Sequence, residues 1–333
     1  MSEIKQMEVI THEFSLEQFN SQIQFAIANY KAHGLSANSF DNIVIGGLGG
    51  SGIGGRIAKA YFADKSSLPI EVYSDYNLPK YTSVKSLVIL CSYSGSTEET
   101  LALYEQAKAI GCSIICISSG GELYQNATQD QYPLYVIETG YQPRMALGFS
   151  LSYLLLILGD LFGVETKKEL ENNQAIYNNR AEYQKLAMDI LTIFEGKENT
   201  KFAVVTDNAT EAVGIRFCQQ IQENAKSEAF VNVLPEANHN VFETYYGELP
   251  TNFIFINSNT NSRNNGRFAY LKQLLEKQNN TVVEINLKDA SIFELYKAIY
   301  ITDWFSIYLS DKRGSDKMHV PNIMGLKNFL KTF

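Results

Sequence analysis

The chain has no CxxC pair, no cluster of lysines and arginines, and no uninterrupted apolar run long enough to cross a bilayer. Each absence excludes a class of function. The four cysteines, Cys91, Cys112, Cys116 and Cys218, lie in or beside apolar segments without the spacing of a zinc site, so they read as inert core thiols and no metal is expected. A formal charge of -8 argues against nucleic acid as a partner, since such binders carry a net basic surface, although an acidic protein can hold a basic pocket for an anionic metabolite. The most apolar run, Phe149 to Phe162, falls short of the roughly 20 residues a membrane span needs and reads as a buried helix. The opening residues, MSEIKQMEVITHEF, lack a basic start followed by an apolar core, so they are not a secretory signal. A cytoplasmic protein with no membrane partner is expected.

What is present is a rhythm. At 333 residues the chain is about twice a typical domain of roughly 150, which favours two domains. The first half alternates short apolar runs with amphipathic stretches: NIVIGG, a helix from about Ser51 to Ala63, IEVYSDY, SLVILCSYSG, a helix closing at Gly111, SIICISS, LYVIE, then the apolar helix. The second half repeats the pattern without repeating the letters, through KFAVVTD, AFVNVLPE, NFIFINS and TVVEINL with helices between. A polar stretch, Thr166 to Tyr183, separates them and reads as connecting helix. Strands of about five residues alternating with helices give an α/β fold, two tandem doubly wound domains over residues 1–165 and 166–333, with ligands expected at the carboxyl ends of the strands.

Two loops carry the chemistry. The stretch GGLGGSGIGG, Gly46 to Gly55, contains a G-x-G-x-x-G match at Gly47, Gly49 and Gly52, with Glu71 or Asp75 near the second strand, which fits a dinucleotide loop. It equally fits another phosphate cradle or a tight turn. The second loop, SYSGSTEET from Ser92 to Thr100, gathers Ser92, Ser94, Ser96 and Thr97 around Gly95 at a helix start. Hydroxyl and backbone N–H donors in one place suit a phosphate monoester. Capping accounts for Thr97 alone, but not for four hydroxyls, and a dinucleotide fold has no need of this loop.

Together, GGLGGSG and SYSGSTEET resemble the sugar isomerase (SIS) superfamily. GYQPRMALG, QENAK and LPEANHN narrow the resemblance to the bifunctional phosphoglucose/phosphomannose isomerases. It implies tandem flavodoxin-like SIS domains, phosphate loops in the first and the catalytic base and histidine in the second. It also implies a homodimer with active sites at the subunit interface, and aldose–ketose isomerisation of hexose 6-phosphates without metal or other cofactor. Carried over by motif, Gly50, Ser51, Ser92, Ser94 and Thr97 hold the phosphosugar substrate's phosphate, Arg144 stabilises the enediolate, Glu223 is the base, and His239 opens the ring from the neighbouring subunit. The chemistry fits these residue types: a carboxylate to take a proton from carbon, a permanent cation for developing oxyanion charge, and an imidazole for acid–base work near neutral pH. At the C-terminus the family carries Thr-Pro before a helix bearing a lysine. Here Met318 and His319 stand near that place, with Lys327 or Lys331 as the lysine. Two other classes compete: a non-catalytic phosphosugar sensor, which would normally be fused to a basic DNA-binding module absent here, and a nicotinamide-dependent oxidoreductase resting on the glycine match.

Overall fold

The computed structural model describes residues 10–332, so most of the amino-terminal stretch read above for a secretory signal lies outside the described residues. The chain divides into two compact units between Tyr177 and Asn178.

Unit 1 opens with two helices, α1 (His12–Glu17) and α2 (Phe19–Asn29). It then alternates β1 (Asn42–Gly46), α3 (Gly49–Tyr61), β2 (Ile70–Tyr73), β3 (Ser86–Ser92), α4 (Glu98–Ile110), β4 (Ser113–Ser118), α5 (Gly121–Gln129) and β5 (Leu134–Val136). All pairings are parallel, in the order β2-β1-β3-β4-β5. That is the flavodoxin-like order, in which the chain reverses its winding between β1 and β3. The central strand β3 is buried along its whole length, as a parallel strand covered on both faces must be, which is why Ser86–Ser92 reads as a near-continuous apolar run. On one face Val44, Val88, Leu90 and Ile114 pack with Leu103 and Tyr104 of α4 and Leu123 of α5.

The apolar run forms α6 (Leu147–Phe162), a buried helix packed on α2 and α3. Among the described residues no helix is long and apolar enough to cross a membrane. The polar stretch that follows is helical as expected, in α7 (Thr166–Glu171) and α8 (Gln174–Asn178). Thr166 donates to the Leu155 carbonyl at 3.0 Å, and Tyr61 donates to Glu169 at 2.7 Å, so α7 is held to unit 1.

Unit 2 comprises α9 (Arg180–Ile193), β6 (Lys201–Asp207), α10 (Glu211–Ala225), β7 (Ala229–Leu234), β8 (Thr251–Asn257), α11 (Ser262–Lys277), β9 (Val282–Asn286), α12 (Ile292–Arg313) and α13 (Pro321–Leu330). The order β7-β6-β8-β9, again parallel, repeats the first four positions of unit 1. One core face is aromatic: Phe253, Phe255 and Tyr245 of the sheet side pack with Phe268, Leu271 and Leu275 of α11. On the other, α12 is held against α10 by Phe217 and Phe305, 5.3 Å apart and edge-on, and by a buried ion pair. Arg216 grips Asp303 with Nε at 3.1 Å and Nη2 at 2.5 Å. Burial raises the Asp303 carboxyl above its ordinary range, against the opposing pull of Arg216. Because α10 also carries Glu223, this pair fixes the helix that presents the candidate base.

The cysteines lie in these cores. All four are buried and reduced, and burial pushes the Cys116 and Cys218 thiols up to about 12. Thiols held neutral this far above neutrality are poor nucleophiles and poor metal ligands.

Candidate functional site

The candidate residues fall in both units, and each group is described within its own. In unit 1 they gather at the carboxyl ends of β1 and β3, the point where the winding reverses. Ser51 lies in the first turn of α3, and its Oγ accepts a hydrogen bond from the Tyr93 N–H at 3.1 Å. Ser92, at the end of β3, is buried, and its Oγ lies 2.9 Å from Thr97 Oγ1 while accepting from Gly95 N–H at 3.1 Å. Ser94 Oγ accepts from Ser96 N–H at 3.3 Å. Ser92 and Thr97 are therefore tied to each other, and Ser51 ties the first loop to the backbone of the second.

Both helices entering this corner lack a side-chain cap. Leu48 precedes α3 and has no capping group, and Thr97 precedes α4 with its hydroxyl turned to Ser92 rather than to the helix. Capping does not explain Thr97. Helix N-termini present backbone N–H groups and a positive dipole end, which favour an anion.

Arg144 reaches the same corner through backbone packing. It sits in the 3-10 turn Pro143–Met145 and is 6% exposed. A Cβ placed on Gly50 would lie 2.8 Å from Arg144 N and from the Pro143 carbonyl group. Only glycine permits that approach, so Gly50 brings the arginine's backbone onto the first loop. Three residues that the sequence did not single out fix the turn. Ser15 Oγ and Gln22 Nε2 donate to the Met145 carbonyl at 2.8 and 2.9 Å. Tyr93 holds the approaching strand end, donating to the Glu138 carbonyl at 3.0 Å and accepting from Tyr141 N–H at 2.8 Å. Ser51, Ser92, Tyr93, Pro143 and Ser150 line one shallow recess at this corner.

The dinucleotide alternative fares poorly here. Glu71, the acid it would assign to a ribose, pairs with Lys59 at 2.9 Å, and Asp75 accepts from the next backbone N–H at 2.6 Å.

In unit 2, Glu223 is half-buried in the last turn of α10. Neighbours anchor that turn. Asn224 donates to Ser306 Oγ at 3.0 Å, and Arg313 and Ser315 donate to the Ala225 carbonyl at 2.7 and 3.1 Å. Lys226 caps the helix in the left-handed region, and its ammonium donates to the Glu223 carbonyl and, at 2.8 Å, to the His319 carbonyl. The segment after α12 is thereby laid beside the base. Asp316 folds it, accepting from Met318 and His319 N–H groups at 2.8 and 3.1 Å, and these bonds lower its carboxyl below the usual range. α13 then starts at Pro321 with Val320 as its N-cap, and carries the exposed Lys327. Lys331 is its C-cap.

His239 ends the 3-10 turn Glu236–His239 beyond β7 and is exposed. Its neighbours are anchored while it projects. Asn238 Oδ1 accepts from Arg267 Nη1 at 3.2 Å, and Asn240 donates to the Glu236 carboxylate at 3.3 Å. Among the described residues no group of three or more His, Cys, Asp or Glu side chains gathers as a metal site would.

Comparison with known proteins follows this division. Residues 38–157 match the model of the SIS domain, and residues 192–330 match the bacterial phospho-glucose isomerase C-terminal SIS domain. A protein of Caldicellulosiruptor bescii named bifunctional phosphoglucose/phosphomannose isomerase is 34% identical over 89% of this chain and 91% of its own. A protein of the same name from Aquifex aeolicus is 33% identical over 88% and 91%. Among solved structures, the C-terminal domain of glucosamine-fructose-6-phosphate aminotransferase from Francisella tularensis shares the fold, with a TM-score of 0.72 at 13% identity, covering 95% of this chain and 99% of that one.

Proposed function

This chain belongs to the family of the bifunctional phosphoglucose/phosphomannose isomerases, and from that membership we infer that it is an enzyme interconverting glucose 6-phosphate, mannose 6-phosphate and fructose 6-phosphate. The observation that carries the reading is the linking of Ser92 to Thr97, and of Ser51 to the backbone of the second loop, at uncapped helix starts in unit 1. Such a corner suits the terminal oxygens of a phosphate monoester.

The roles follow from the chemistry. Ser51, Ser92, Ser94 and Thr97 hold the phosphate, with Gly50 leaving room against the backbone. His239 acts as acid and base on the ring oxygen and anomeric hydroxyl, opening the pyranose to the free aldehyde. Glu223 then takes the C2 proton of the aldose, giving a cis-enediolate, and returns a proton to C1 to form the ketose. Glucose and mannose 6-phosphates differ only at C2, so both converge on one enediolate. Arg144 faces the charge that develops on its oxygens, where a fixed guanidinium stabilises the transition state more than the neutral sugar. Lys327 assists from α13. Val320 is the N-cap of that helix and Pro321 is its first residue, in the order of the family's Thr-Pro element. The resemblance gives that threonine the role of leaving space for both C2 epimers, and valine, which has the shape of threonine without its hydroxyl, would keep that space in this reading. The proton returns to the sugar and no electrons are exchanged, so the step needs no redox cofactor.

A homodimer is part of the reading, with His239 supplied across the subunit interface. α13 supports it, because Ile323, Met324, Leu326, Phe329 and Leu330 all lie exposed on one short helix in the single chain, an apolar patch of the kind partners cover. Mixing inactive Glu223→Gln with inactive His239→Ala protein should then restore activity, because one site in each mixed dimer has both groups intact. Absence of complementation, with subunit exchange demonstrated, contradicts the shared site. The activity itself is tested with purified protein and fructose 6-phosphate: glucose 6-phosphate and mannose 6-phosphate should form, and tight binding without either product would instead favour the sensor.

A further inference from the structure

The two units repeat one sheet order, so their strand ends can be matched by register. In unit 1, Gly46 lies opposite Leu90, and Ser92 follows two residues on. In unit 2, Thr206 lies opposite Ile256, and Ser258 follows two residues on. Gly47 therefore corresponds to Asp207, and Ser92 to Ser258. The hydroxyl pairing recurs: Ser258 Oγ lies 2.7 Å from Thr260 Oγ1, as Ser92 Oγ lies 2.9 Å from Thr97 Oγ1.

The difference is the carboxylate. Asp207 is 2% exposed and, among the described residues, has no cationic side chain within ion-pair distance. Its charge is met by hydrogen-bond donors alone. Oδ2 accepts from Ser258 N–H at 3.0 Å and Ser258 Oγ at 2.6 Å, and Oδ1 accepts from the Ala209 and Thr210 N–H groups at 3.0 and 3.1 Å and from Thr210 Oγ1 at 3.1 Å. Backbone N–H groups and the hydroxyls of a serine and a threonine at a winding reversal are the donors an oxyanion would use. Unit 1 is crowded at this place, because a Cβ on Gly47 would lie 3.0 Å from the Cys91 carbonyl oxygen and 3.3 Å from Gly52 Cα, so backbone would have to shift to admit a side chain. Unit 2 has a longer connection: Asn208, Ala209 and Thr210 join β6 to α10, where only Gly47 and Leu48 join β1 to α3.

We propose that Asp207 is a built-in anion that occupies the phosphate-type site of unit 2, so that the chain keeps a single phosphosugar corner, in unit 1. The proposal is independent of which reaction that corner serves. Removing the side chain empties the site while leaving its donors in place. A small external oxyanion should then fill it.

The test compares wild type, Asp207→Ala and Asp207→Asn by thermal unfolding in sodium formate, sodium phosphate and sodium chloride at equal ionic strength. Asp207→Ala should unfold at a lower temperature in chloride. Formate or phosphate should recover about 3 °C or more beyond any rise in wild type, which accounts for phosphate bound in unit 1. Asp207→Asn fills the same volume without charge and should be destabilised but not rescued. An Asp207→Ala response equal to wild type, or an equal rescue of Asp207→Asn, overturns the proposal. If Asp207→Ala does not fold in chloride, the refolded yield in formate becomes the readout, and a yield no better than in chloride overturns it equally.

Discussion

The same corner of the same sheet order serves opposite ends in the two units. In unit 1, the helices after β1 and β3 begin without side-chain caps, the Ser92 and Thr97 hydroxyls are linked to each other, and the Ser51 and Ser92 hydroxyls accept from backbone N–H groups of the second loop. In unit 2, Asn261 caps α11 by accepting from the Arg263 and Asn264 N–H groups at 2.9 and 3.2 Å, and Asp207 takes the donors at the start of α10. On the reading proposed here, one corner receives an external anion, and the other holds the chain's own carboxylate. What unit 2 contributes comes from elsewhere, from the last turn of α10 and the 3-10 turn beyond β7. On the function proposed above, the repeated fold divides its work, with anion recognition assigned to one copy and acid–base groups to the other.

That division predicts different kinetic signatures for the two units. The largest effect belongs to unit 2: Glu223→Gln should lower kcat by about 10²- to 10⁴-fold, the range for loss of a general base, with KM nearly unchanged. Arg144→Gln should lower kcat by roughly 10²- to 10³-fold, as loss of an oxyanion-stabilising group does. Ser92→Ala should act mainly on KM, raising it about ten- to a hundredfold, because it removes one hydrogen bond to a charged group worth roughly 1.5–3 kcal/mol. Steady-state kinetics with fructose 6-phosphate checks all three. A kcat loss for Ser92→Ala as large as that for Glu223→Gln would break the comparison. The smallest effect is none: exhaustive treatment with a chelator should leave kcat unchanged, and a loss restored by a divalent cation would place a metal in the reaction.

The sequence carries unit 1 more openly than unit 2. Glycines and hydroxyls grouped within short loops are themselves the chemistry, so Ser51, Ser92 and Thr97 are visible as letters before they are visible as neighbours. Arg144 is legible as a candidate, but its anchors are not, because Ser15 and Gln22 meet the Met145 carbonyl from 130 and 123 residues away. Asp207 ends the strand KFAVVTD, and nothing in the letters marks it out. Only the register of β6 beside β8 places it where Gly47 stands in unit 1. Likewise, Met318 and His319 draw attention as letters, whereas the helix start at Pro321 points to Val320. Local composition marks a site when donors are adjacent in sequence, and it is silent when they are joined across strands.

The central claim is that Glu223 moves a proton on a sugar whose phosphate is held by other residues. Fructose 6-phosphate turned over in deuterated water tests it most directly. Wild type should place deuterium at C2 of the glucose 6-phosphate and mannose 6-phosphate formed, while Glu223→Gln should bind fructose 6-phosphate with near wild-type affinity and incorporate none on the same timescale. Incorporation by Glu223→Gln at the wild-type rate would contradict the account.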